Sequence, residues 1–214
     1  MEKTNISIAK PFGPTIAKVS IPNDIILKLN NYIDEIIKDE KQAKLQDHGK
    51  HLAGQVTQEI VLDNKFAETS GWLKFLGTCT AQWLKLSGLP EIKRFDLLST
   101  WAVRQFKGEY NPTHWHNGHI SGVGYLKVPD DLGDKAQDNK INNPNGKLEL
   151  IHGTRQFLSQ STFRIKPEIG DFYFFPNYMM HTVYPFKKTN EERRSISFNA
   201  KIDDHVYNVY ADKN

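Results

Sequence analysis

The sequence predicts one α+β domain, mainly β with helices, on three observations. Two segments near its start repeat their apolar residues at helical spacing. From Phe95 onward the chain becomes a succession of short runs rich in β-branched and aromatic residues, punctuated by Gly, Pro, Asn and Asp. Its 214 residues suffice for one substantial core.

In chain order, a short β segment is expected around Thr15 to Ile21, after the Pro11/Gly13/Pro14 loop. Asn23 or Asp24 can cap a helix to about Glu40, because Ile25, Ile26, Leu29, Ile33, Ile36 and Ile37 form one stripe. The charged stretch Asp39 to Lys50 reads as a mobile connection, with His48 and His51 on the surface. Gln55 to Leu62 suggests a strand. Asp63 then caps a second helix reaching about Ser87 and closed by Gly88-Leu89-Pro90. Its stripe is Leu73, Leu76, Thr80, Trp83 and Leu84, and Cys79 is expected to be buried and inert on it.

Phe95 to Phe106 is a strand in which Arg104 and Gln105 can face a cavity or solvent. Val128 to Lys147, full of Asp, Asn, Gly and Pro, reads as a flexible polar loop, either a lid or a plain insertion. Gly146 to Ile151, Thr162 to Ile165 and Asp171 to Phe175 are short strands, and Arg193 to Ile202 alternates as another. His152 sits at a strand end with no nameable partner. The tail from Asp203 should pack on the outer sheet or on a neighbouring subunit, so a homo-oligomer stays open.

Composition narrows the function. The 28 basic and 25 acidic residues give a net charge of +3 and are scattered, which argues against nucleic acid as the main partner. A single cysteine, Cys79, excludes internal disulfides and fits a reducing, cytoplasmic setting. No apolar run near the start suggests a signal peptide and none is long enough to cross a membrane.

The chemistry concentrates between Gly108 and Leu126, where His114 and His116 stand two residues apart. Alternation along an extended segment puts such a pair on one face, a two-point clamp for one metal ion. The alternative is two surface histidines beside the turns Asn111-Pro112 and Asn117-Gly118, against which stands Trp115, a poor residue for a solvated loop. His181, on an extended piece after the Pro176-Asn177 break, is the available third partner.

The ordered set His114-Trp115-His116, Ser121-Gly122-Val123-Gly124-Tyr125, Phe175-Pro176, His181 and Arg193-Arg194-Ser195-Ile196-Ser197-Phe198-Asn199 resembles the 2-oxoglutarate- and Fe(II)-dependent oxygenases. The likeness is to the prolyl-4-hydroxylase-like branch, in particular its small H-x-H members. It implies a double-stranded β-helix, or jelly roll, over 93–202, with 1–92 as a helical support region of the same 1–214 domain. It further implies Fe(II) on His114, His116 and His181, and 2-oxoglutarate as cosubstrate with its far carboxylate on Arg193, Ser195 and Tyr125. Arginine suits that role because its charge is permanent and its planar fork matches a carboxylate. O2 and a small-molecule or peptide substrate complete the expected partners, with succinate and CO2 released as a C–H bond is hydroxylated. Trp115, Phe172 and Phe174 are candidates for the apolar wall, and Arg194 is expected to be a solvated or edge charge.

One position departs from the family pattern. The second residue of the pair is usually Asp or Glu, and no acid lies between Tyr110 and Pro129. Glu109 should face away from His114. Three readings stay open for the position: His116, His119 beyond the Asn-Gly turn, or water. A cupin-type metal enzyme without 2-oxoglutarate, or a non-catalytic jelly-roll binding module, are the alternatives this departure leaves.

Overall fold

A computed structural model describes residues 13–133 and 140–210 of the chain. Its strands are β1 (Ala17–Ser20), β2 (Gln58–Val61), β3 (Phe95–Gln105), β4 (Asn111–His114), β5 (Ile120–Lys127), β6 (Leu148–Ile151), β7 (Thr162–Ile165), β8 (Asp171–Pro176), β9 (Met180–Val183) and β10 (Arg193–Ile202). They form two antiparallel sheets, a larger one ordered β1-β8-β5-β10-β3-β2 and a smaller one ordered β4-β9-β6-β7. The predicted jelly roll is what forms, and the expected helical support region also supplies β1 and β2 to the larger sheet.

Among the described residues five α-helices accompany the sheets: α1 (Asn23–Lys38), α2 (Glu40–Gln46), α3 (Asn64–Thr69), α4 (Trp72–Leu86) and α5 (Asp204–Tyr207). The stripe of α1 and the stripe of α4 pack on one face of the larger sheet. Leu29, Ile33, Trp72, Leu76 and Leu84 meet Phe172, Phe174, Ile196 and Phe198 there. The opposite face meets the smaller sheet through Val123, Tyr125, Tyr173 and Phe175 against Leu148, Leu150, Ile165 and Val183. Both faces of β5 and β10 are therefore covered, which is why their burial is nearly continuous. The glycines of β5 belong to this arrangement. A Cβ on Gly124 would lie 2.3 Å from the Phe172 ring, and one on Gly122 2.6 Å from the same ring.

Several local readings change. Asn23 is already helical, Pro22 occupies the cap position without a side-chain bond, and α1 ends at Lys38. Asp39 to Lys50 is not a mobile connection, because the Asp39 carboxylate accepts from the Lys41 and Gln42 amides and starts α2. Asp63 does cap a helix, but Gly71 at φ +88° divides the expected single helix into α3 and α4. Cys79 is only half-buried, and burial pushes its thiol up from the ordinary value.

Arg194 is not a solvated charge. It is wholly buried, with its guanidinium donating to Glu192, to Asp34 at 2.7 Å and to Asn30 at 3.0 Å. Helix α1 lays Asn30 and Asp34 over the start of β10, which the strand pattern alone did not reveal. Arg104 joins this network through Glu192 at 2.9 Å, and Gln105 is buried with its amide on the Glu109 and Tyr184 carbonyls. Neither faces the cavity. The expected loop at 128–147 falls partly outside the described residues, at 134–139. Its described flanks are tied together by Asn143 and Asn145, whose amides both donate to the Gly133 carbonyl. The tail returns to its own sheet as α5, with Tyr207 stacked on His119 at 3.9 Å.

Candidate metal centre

Strands β4 and β9 pair so that His114 and His181 are direct register partners, and their ring centroids lie 4.2 Å apart. His116 is not on the same strand as His114, because β4 ends at His114. The chain leaves the strand there, and Asn177 holds the new course by accepting from the His116 amide at 3.0 Å and donating to its carbonyl at 3.1 Å. The His116 ring nevertheless arrives 5.1 Å from His114 and 4.8 Å from His181. One ring nitrogen of each histidine lies within 4.8 Å of the other two, so these residues can hold a metal ion.

The second nitrogen of each ring is already committed. His114 Nδ1 bonds the Pro112 carbonyl at 2.7 Å, His181 Nδ1 the Met179 carbonyl at 2.9 Å, and His116 Nδ1 the Asn199 Oδ1 at 2.7 Å. A carbonyl oxygen can only accept, so each Nδ1 carries the proton and each Nε2 keeps its lone pair. Asn199 is itself fixed by the Ser121 hydroxyl, which donates to the same Oδ1 at 2.9 Å. Such outer partners orient ligand rings at metal sites. Burial drives the three rings toward neutrality, pushing His181 down to about 3 and His116 down to about 4, with His114 also lowered. Mutual proximity adds to the shift at His181 and His116, and the Nδ1 bonds oppose it.

His119 does not take part. Its Nδ1 accepts the Ile202 amide at 3.1 Å and its ring stacks on Tyr207. Glu109 also points elsewhere, binding the Thr57 hydroxyl at 2.6 Å and the Phe106 amide at 2.8 Å. Among the described residues it is His116, not His119 or Glu109, that joins His114 and His181.

A cavity of about 300 Å³ opens at the histidines. Its walls include Trp101, Val103, Val123, Leu148, Phe175, Val183, Ser195 and Ser197. Of the expected wall residues only Trp115 lines it, at the mouth and 63 % exposed. Phe172 and Phe174 are on the helix-covered face, because the odd-numbered residues of β8 point between the sheets.

Beyond Ser195, two residues further along the inward face of β10, Arg193 is 1 % exposed. Its guanidinium carbon sits 5.0 Å from the centroid of the Tyr125 ring. Nε and Nη2 of Arg193 and the hydroxyl of Tyr125 are buried without a hydrogen-bond partner among the described residues. Burial pushes the Tyr125 phenol up to about 12 and lowers Arg193 from its ordinary value. Ser195 is the register partner of Tyr125, so the three predicted cosubstrate residues lie in one neighbourhood. A buried cation with donors to spare is costly unless an anion meets it. The donor set therefore fits a carboxylate, although the cavity reaches Ser195 and is lined by neither Arg193 nor Tyr125.

The sequence placed Ser121 and Asn199 in the ordered motif set without a role and Asn111 in a turn, and did not single out Glu59; all four belong to this region. Asn199 shares the odd-numbered parity of Arg193 and Ser195, a signal that was present. Glu59 and Asn111 carried none.

Residues 99–199 match the model of a family described as "Putative 2OG-Fe(II) oxygenase". No curated protein matches the chain. Among solved structures, a prolyl-4-hydroxylase of Pseudomonas putida is 14 % identical with a TM-score of 0.54, covering 86 % of this chain and 91 % of its own. The viral collagen prolyl hydroxylase of Paramecium bursaria Chlorella virus-1, solved as a 2-oxoglutarate complex, is 15 % identical with a TM-score of 0.53, covering 86 % and 94 %. AviO1 of Streptomyces viridochromogenes is 13 % identical with a TM-score of 0.58, covering 90 % and 91 %. At these identities the structures speak for the fold. The matched family is one of 2-oxoglutarate/Fe(II)-dependent oxygenases, the superfamily that the sequence motifs resemble.

Proposed function

We propose that the chain is a non-haem oxygenase in which His114, His116 and His181 hold Fe(II) through Nε2, while Arg193, Ser195 and Tyr125 hold the far carboxylate of 2-oxoglutarate. The observation that carries the reading is the convergence of three neutral imidazoles whose outward nitrogens are all occupied. When bound, iron with 2-oxoglutarate and O2 supplies oxidation of a substrate C–H bond with release of succinate and CO2.

The chain's own residues do the positioning. The carbonyls of Pro112 and Met179 and the amide of Asn199 fix the imidazole tautomers before any ligand arrives. Three neutral imidazoles would add no negative charge to a bound Fe(II), so balancing charge there would have to come from the cosubstrate, whose far carboxylate would meet Arg193 instead. Arg193 sits inward of Ser195, so its charge draws the far carboxylate into the barrel. Trp101, Val123, Phe175, Leu148 and Val183 line the cavity and exclude water from the reacting end. A metal enzyme without 2-oxoglutarate would leave the buried Arg193 unpaired, and that observation favours the cosubstrate.

Its substrate enters a cavity at the small end of the usual range, which suits a small molecule or one side chain of a peptide. The viral neighbour is a collagen prolyl hydroxylase, so the fold serves peptide substrates elsewhere. A reducing, cytoplasmic setting belongs to the proposal and rests on the single cysteine.

The test is anaerobic reconstitution with Fe(II), admission of O2, and measurement of succinate with and without 2-oxoglutarate. Wild type should form succinate, and His181→Ala and Arg193→Ala should not. Equal succinate from wild type and Arg193→Ala would sink the reading.

A further inference from the structure

Glu59 lies on β2, at the edge of the larger sheet, opposite Val103. Val103 faces the cavity, and Glu59 lines it too. Its side chain is 2 % exposed, and Oε2 has no hydrogen-bond partner among the described residues. Asn111, at the start of β4, lines the same cavity at 9 % exposure, and its Oδ1 is likewise buried without a partner.

These two acceptors converge. A Cβ placed on Gly54 would be 2.9 Å from Glu59 Oε1 and 3.1 Å from Asn111 Oδ1, so both flank one point. The loop carrying Gly54 is held there by paired backbone bonds between Gln55 and Tyr110, at 2.8 and 3.3 Å. Its other residues, His51, Leu52 and Ala53, line the cavity beside Trp115.

Nothing in the fold explains this arrangement as internal architecture. The nearest charge, Asp47, is also acidic and spends its Oδ1 on the amides of Gly49 and Glu59. Glu59 is not part of the histidine cluster. Among the described residues no lysine or arginine lines the cavity, and Glu59 is the one acidic residue that does. Buried acceptors left unmatched at a cavity wall are a place to look for a ligand's donors.

We propose that Glu59 and Asn111 form the recognition site for a cationic nitrogen of the substrate, an ammonium or guanidinium group held beside the three-histidine centre. The inference rests on the oxygenase reading and names its substrate class. The carboxylate of Glu59 and the amide oxygen of Asn111 accept from the cation, while Trp115 and Leu52 flank its aliphatic or peptide part at the mouth. One chemistry can come from two sources, a free amine or a basic residue in a peptide.

Two measurements separate this proposal from the reading beneath it. The first is calorimetric binding to Ni(II)-loaded protein, with no turnover required. The probes are pentylamine and butylguanidine, their uncharged counterparts pentanol and butylurea, and N-acetylated ten-residue peptides bearing a single lysine, arginine or citrulline. Basic probes should bind at least ten-fold more tightly than neutral ones, and Glu59→Gln should erase the difference. Asn111→Asp, which adds a second charge, should widen it. Response to the free amines assigns a small substrate, and response to the peptides alone assigns a protein side chain. The second is succinate formation with the same probes, which basic ones should stimulate. Binding preference without succinate would count against the oxygenase reading and leave this site standing. Succinate formation in wild type with no preference for a basic probe, or a preference that Glu59→Gln leaves intact, overturns it.

Discussion

His116 donates its Nδ1–H to Asn199 Oδ1 at 2.7 Å across 83 residues of sequence, leaving Nε2 as the free nitrogen beside His114 and His181. A ring that has left its strand is thereby held as firmly as its two partners, whose Nδ1 atoms sit on backbone carbonyls. Asn199 is the side chain on which this third ligand position depends.

Asn199→Leu should therefore weaken metal binding by roughly 10–100-fold, the usual penalty for losing an outer partner of a ligand. Asn199→Asp keeps an acceptor for Nδ1–H and should retain most of the affinity. A Co(II) titration followed by visible absorption checks both, and equal affinity for wild type and Asn199→Leu would remove the residue from the centre.

Metal uptake should release fewer protons at pH 6.5 than three ordinary histidines would, since such a histidine is half protonated there. His181 and His116 sit at about 3 and about 4, so those two rings are already neutral, and burial lowers His114 in the same direction. Calorimetry in two buffers of different ionisation enthalpy should give nearly the same heat. The same shifts set a stability trend. Below about pH 6.5 the unfolded chain takes up protons that the native rings refuse, so the histidines' contribution to the stability of the metal-free protein is lost as pH falls toward 4.

The adjacent arginines should respond in opposite ways. Arg193→Met removes a buried, unpaired cation and should leave the ligand-free protein at least as stable. It should also abolish the stabilisation by 2-oxoglutarate, about 2.7 kcal/mol at a hundred times the dissociation constant. Arg194→Met leaves Glu192 to Arg104 and Asp34 to Lys127 but removes the buried charged hydrogen bonds to both, and should lose about 2 kcal/mol while the remaining protein still responds to 2-oxoglutarate. Thermal denaturation of the Ni(II)-loaded proteins, with and without the cosubstrate, distinguishes them.

Glu59 makes stability fall with alkalinity. Burial raises its carboxyl from 4.5 to about 7, with Asp47 adding to the shift. A raised folded value means the native state binds the proton more tightly, so Glu59's contribution to stability declines as pH climbs from 4.5 through 7 and then levels. Glu59→Gln should gain up to about 3 kcal/mol over wild type at pH 8, and little at pH 5. Urea melts of the metal-free proteins at the two values measure it, and a gain that does not depend on pH would contradict the assignment.

Several features were legible along the chain. The stripes of α1 and α4, the aromatic alternation of β8 and β10, and the order of H-x-H, late histidine and arginine are local or depend on spacing alone. They carried the fold class and the superfamily likeness. Less legible was which face of each strand would be inside. Phe172 and Phe174 alternate as regularly as Tyr173 and Phe175, and only the helices packed above them decide which pair meets the cavity. Arg194 looked like an edge charge because Asn30 and Asp34 lie 164 and 160 positions away.

By itself the sequence determined the period of each element, the residue types able to bind a metal, and their order. Those follow from side-chain chemistry and from the geometry of a single helix or strand. Tertiary structure alone decided that His116 rather than His119 completes the cluster, that Arg193 is left with unmatched donors, and that Glu59 and Asn111 aim unpaired acceptors into the cavity. The physical reason is common to all three. Burial and partnership are properties of side chains from distant segments, and no local pattern encodes which of them will meet.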